Sequence, residues 1–171
     1  DKDGEVNSLL SLLGFAVLVA VLRILFFKGP YATPSQPGEG LMDLHCHTAG
    51  FGAGGSGARV STTLRESWQF TLYLRIFATS EPEVEEKGDR RVMEIIADSI
   101  RGSKWVDDVV ILAMDAPHDA AGKLDEDKIE VYVPNRFVGA EVKRHKGLHF
   151  GASVHPNRKD ALEELQWSKE N

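Results

Sequence analysis

The chain has 171 residues, 26 of them acidic and 20 basic, for a net charge of −6. That balance, with its basic residues scattered rather than gathered on one face, argues against nucleic acid as a partner, since phosphate backbones draw basic patches. A single cysteine excludes an internal disulfide framework.

Residues 8–27 read SLLSLLGFAVLVAVLRILFF, 20 positions interrupted by one charge, Arg23. About 20 apolar residues cross a bilayer core as a helix, and Arg23 lies near enough to one end to snorkel. The pattern predicts a hydrophobic helix that anchors the chain to a membrane. Arg23 and Lys28 on its C-terminal flank favour a cytoplasmic position for the residues beyond it. The alternatives are an export signal, cleaved or lipidated, and a buried first element. Residues 1–28 therefore form an anchor-like segment. Residues 29–40, with Pro30, Pro34 and Pro37, block both helix and ladder hydrogen bonds and read as a linker.

The domain spans 41–171. Residues 41–46 are a short apolar run ending in polar residues, which suits a buried strand. FGAGGSG at 51–57 reads as a pliable loop. Thr63 with Glu66 forms a capping-box pattern that predicts a helix through about Phe77. Ser80 with Glu83 repeats the pattern and opens a second helix. Val84, Val92, Ile95, Ile96 and Ile100 lie along it, and Gly102 ends it. The apolar run at 107–114 predicts a strand buried on both faces. A polar loop occupies 115–128. A helix is expected over 135–145, a third strand over 148–154, and a last helix from Asp160. Strands alternating with helices imply a parallel sheet covered by helices.

The chemistry lies in Asp43-Leu44-His45-Cys46-His47. Strict alternation puts His45 and His47 on one face of the strand, where both imidazoles can converge on one ion. Imidazole suits zinc better than magnesium. By the same alternation Asp43 is in phase with the histidines, to orient an imidazole or to reach the metal. Cys46 points the other way and reads as a core thiol. At later strand ends Asp115 and His155 are candidates for substrate contact. The competing readings are a turn-stabilising aspartate and a structural contact beside Pro156. His118 reads as solvated, and His145 and His149 as structural.

The run DLHCHTAG resembles the Asp-x-His-x-His signature of the amidohydrolase superfamily, and YVPNRFVGAEVKRHKGLHFGASVHP resembles its amidohydrolase-related branch. The resemblance covers residues 41–167. It implies the first three strands of a TIM-type (β/α) barrel with their helices, preceded by the hydrophobic helix. It also implies a divalent metal, zinc before others, held first by His45 and His47. The reaction implied is hydrolysis or decarboxylation of a small organic substrate. A whole barrel needs about 250 residues, so the resemblance implies a part of one. Further ligands and the catalytic acid–base group are then expected downstream of Asn171, and the chain alone is expected to be inactive. Two alternatives stand beside it: a phosphoesterase of the polymerase-and-histidinol-phosphatase type, whose metal motif begins similarly, and a non-catalytic, membrane-tethered binding protein.

Overall fold

The computed structural model describes residues 40–171 together with Val17, Val19 and Val21, which are helical. The remainder of the helix expected over 8–27, and the linker short of Gly40, lie outside the described residues. Among the described residues no helix is long and apolar enough to cross a membrane.

From Gly40 onward the chain is a mixed α/β unit. Strand β1 (Met42–His47) leads to a glycine-rich loop, strand β2 (Arg59–Val60) and helices α1 (Thr62–Arg65), α2 (Trp68–Ile76), α3 (Glu81–Lys87) and α4 (Arg90–Arg101). Strand β3 (Asp108–Leu112), strand β4 (Val131–Tyr132), helix α5 (Asn135–Val142), strand β5 (Leu148–Gly151) and helix α6 (Ala161–Glu170) complete it. β1, β3 and β5 form a parallel sheet in that order, so each crossover advances by one strand. These are the three strands expected from the apolar runs. The antiparallel pair of β2 and β4 was not expected, because two-residue strands carry no periodicity to read.

Two strands of the parallel sheet stop where other hydrogen bonds divert the backbone. β5 ends at Gly151 rather than Val154 because Asn135 captures the next turn. Its Oδ1 accepts the Ser153 N–H at 2.9 Å and its Nδ2 donates to the Ser153 carbonyl at 2.8 Å. Beyond β3, Met114 leaves the parallel ladder and exchanges two hydrogen bonds with Val133.

Both long helices expected after β1 are broken, for local reasons. The Thr63–Glu66 capping box does not form. Ser61 Oγ instead accepts the Leu64 N–H, and Ser67 Oγ accepts the Phe70 N–H, each at 3.2 Å, so two serines open two short helices. The second break falls at Gly88, whose φ of 82° no helix contains. Gly88 lies against Gly54, where an added Cβ would come within 2.9 Å of the Gly88 Cα. Ser80 makes no capping bond; Thr79 Oγ1 instead donates to Glu83 at 3.1 Å.

The core sits on one side of the sheet. Val92, Met93 and Ile96 of α4 and Val138 and Val142 of α5 cover Val109, Ile111 and Leu148. The opposite face carries Val110 and Leu112, half-buried, and His149, exposed. A sheet covered on one side keeps one face free for other work.

Glu83 joins α3 to α4: its carboxylate takes donors from Lys87 at 2.9 Å and Arg91 at 2.8 Å as well as from Thr79. Lys87 and then Arg91 hold it down from the ordinary 4.5 to about 2. With the folded value lowered, its contribution is complete above about pH 4.5 and is lost as the pH falls toward 2. Glu83→Gln is expected to lower stability near neutrality and to match the parent near pH 2. Urea unfolding across that range, with parallel curves as the contrary result, checks it.

Candidate functional site

His45 and His47 close β1 at its C-terminal end, and their rings meet. The two Nε2 atoms are 3.0 Å apart, with ring centroids at 4.8 Å and planes at 80°. Both side chains are exposed. His47 pairs in register with Leu112, on the sheet face away from the helices.

Asp43 is not in phase with them, and the register gives the reason. Partners across a parallel pair project from the same face. Asp43 partners Val109 and Cys46 partners Ile111, both core residues, while His47 partners Leu112. The register shifts between Asp43 and Cys46, and one extra residue inverts the alternation. Asp43 thus falls on the side of Cys46, which corrects the shared phase expected from strict period two. Its Oδ1 accepts the backbone N–H of His45 at 2.9 Å. Burial, and then the Asp43 charge, push the Cys46 thiol up, which fits a thiol packed against the core.

The glycine loop after β1 is fixed, not pliable as its composition suggests. Asp89, fully buried between α3 and α4, accepts the N–H groups of Phe51 at 3.1 Å and Gly52 at 2.9 Å. The same carboxylate accepts the Ser56 hydroxyl, and the Asp89 N–H donates to the Ala53 carbonyl at 3.0 Å. Gly50 is required there, because a Cβ would overlap the Asp89 carboxylate.

Between this loop, the β2–β4 pair and α1–α2 lies a cavity of about 340 Å³. Val60, Leu64, Phe70, Tyr73, Met114 and Val131 form its apolar wall, and His47, Thr48, Ala49 and Gln69 complete the lining with almost no polar surface turned inward. Thr48 is 1% exposed, and its Oγ1 has no hydrogen-bond partner among the described residues. Tyr73 is pushed up to about 12, by burial first and the neighbouring Cys46 second, so its phenol stays neutral.

Asp115 and His155 come together, but as a brace. Asp115 Oδ2 accepts the His155 N–H at 2.8 Å and Arg158 Nη1 at 3.0 Å, and Oδ1 accepts the Ala116 N–H at 2.9 Å. Its side chain is 4% exposed, so protein donors fill the carboxylate expected to meet substrate. The His155 ring stacks on His118 with centroids at 5.3 Å, and its Nδ1 accepts the Asn157 N–H. His118, expected to be solvated, is half-buried and donates from Nδ1 to the Ala116 carbonyl at 2.9 Å. His149 pairs with Asp108 at 2.7 Å, and His145 is half-buried. No group of three or more His, Cys, Asp or Glu converges among the described residues.

Sequence reasoning missed Asp89, Thr48, Arg158 and the cavity. Only Asp89 left a trace, in the Gly88-Asp89 pair that interrupts an otherwise periodic helix. No protein-family model, curated protein or solved structure matches this chain.

Removing the buried Asp89 carboxylate leaves the N–H groups of Phe51 and Gly52 and the Ser56 hydroxyl, all at partly buried contacts, without their partner. Asp89→Ala is expected to cost on the order of 3 kcal/mol or more, and Gly50→Ala about 1–3 kcal/mol through overpacking. Urea unfolding measures both. Values near zero would show that the loop does not depend on this clamp.

Proposed function

We propose that this domain carries the first two metal ligands of an amidohydrolase-type, metal-dependent hydrolase acting on a small organic substrate. The observation that carries the reading is the 3.0 Å separation of the His45 and His47 Nε2 atoms. Two imidazole nitrogens each about 2.0–2.1 Å from one zinc ion at a near-tetrahedral angle lie about 3.3 Å apart. The observed pair needs only a few tenths of an ångström of opening. Two ligands fall short of the three or four of a complete zinc site, so the reading requires further ligands and an acid–base group. A plain N–H···N hydrogen bond also accounts for 3.0 Å, and metal titration separates the two.

The placement of the pair supports a barrel as the setting. The strands are parallel and adjacent in chain order, their helices cover one face, and His47 points from the other. In a (β/α) barrel that free face is the interior, and the C-terminal strand ends form the rim where chemistry is placed. Membrane anchoring through residues 8–27 belongs to the same proposal, on the strength of their length and apolarity.

Within this reading the chain's own residues divide the work. His45 and His47 donate neutral imidazole nitrogens. Asp89 fixes the loop behind them, and the cavity beside His47 receives the organic part of the substrate. When bound, a zinc-type ion would lower the pKa of a coordinated water and polarise the scissile group.

Zinc titration of the chain by calorimetry is expected to show one weak site. His45→Ala or His47→Ala should each weaken it at least about tenfold without lowering the unfolding midpoint. Unchanged zinc binding in both variants sinks the metal reading. For the active enzyme, amides, lactones and carboxylic acids assayed beside phosphate esters decide between an amidohydrolase and a phosphoesterase.

A further inference from the structure

We infer that the cavity beside His47 binds an uncharged, apolar group of about two fused rings' size. This inference rests on the metal-site reading for what happens to the ligand, though not for the cavity itself.

Size comes first. At about 340 Å³ the cavity is a little over twice a cavity of about 150 Å³ that takes one benzene ring. It lies within the range of small-molecule sites, roughly 300–1,000 Å³. Charge comes second. None of the residues lining it is Asp, Glu, Lys or Arg, and Tyr73 remains a neutral phenol. A carboxylate or ammonium placed there would lose its water with no opposite charge to replace it. The charged or scissile end of a ligand is therefore excluded from the cavity and directed to the exposed histidines at its edge.

The third observation is the surface the cavity presents. Val60, Leu64, Phe70, Tyr73, Met114 and Val131 turn carbon toward the space, while the Thr48 hydroxyl is covered, so the cavity selects by shape and by the absence of charge.

The test uses the full chain kept metal-free with a chelator, and two probes of matched shape, 2-naphthol and 2-naphthoate. At neutral pH the first is uncharged and the second an anion. Fluorescence titration is expected to show saturable 2-naphthol binding, with 2-naphthoate at least about tenfold weaker. Leu64→Trp and Val131→Trp fill the space and should each reduce 2-naphthol affinity at least about tenfold. His45→Ala should leave 2-naphthol binding intact even as it weakens zinc binding at least about tenfold, so the two readings fail separately. Equal affinity for the two probes overturns the proposal. So does parental 2-naphthol binding in whichever tryptophan variant folds.

Discussion

The Asp89 carboxylate organises the end of this molecule where the histidines sit. It is fully buried and takes three donors, all from the loop after β1. A charge in that position is stable only when its lone pairs are used, so the loop must keep the shape that supplies the donors. That requirement explains the glycines. Gly50 leaves room for the carboxylate itself, and Gly54 and Gly88 permit the close approach that carries Asp89 into place. The helix break at Gly88 comes from the same constraint: a continuous helix could not deliver Asp89 to the loop.

The elements legible in the sequence were those whose signal is periodic or punctuated. The apolar runs of β1, β3 and β5 marked three strands, and the helical spacing around Val92 and Ile96 marked one of the helix faces that bury them. What could not be read depended on tertiary pairing. Strict alternation put Asp43 with His45 and His47, but the shift in register between Asp43 and Cys46 is set by β3 and leaves no mark in β1. Thr63 and Glu66 matched a capping box, yet Ser61 and Ser67 made the caps, because several hydroxyls competed for the same amides. The cavity was invisible for a further reason. Val60 and Val131 come from strands of two residues paired across 71 positions, too short to show a pattern.

One-sided burial determines what the sheet can do. Because α4 and α5 cover the Val109, Ile111 and Leu148 face, the side chains on the other face are free of packing duty. The register shift in β1 sorts residues between these faces. Cys46 goes to the core, where its thiol is held protonated, while His47 goes to the free face.

The same end of the sheet shows a division between polar groups that are used and those left available. After β3 and β5 the loops are braced by Asp115, which gathers Ala116, His155 and Arg158, and by Asn135, which holds both backbone groups of Ser153. Asp89 does the same after β1. In each case a buried carboxylate or amide takes up the backbone donors that a loop cannot satisfy by itself. Asp115 and Asn135 also have little capacity left for a ligand, which is why their chemistry reads as architecture once their partners are known. Against that background the exceptions carry meaning. Among the described residues the Nε2 atoms of His45 and His47 meet only each other. A loop pinned this firmly after β1 holds the strand end that carries the two exposed rings at little further entropic cost, the arrangement that favours oriented binding.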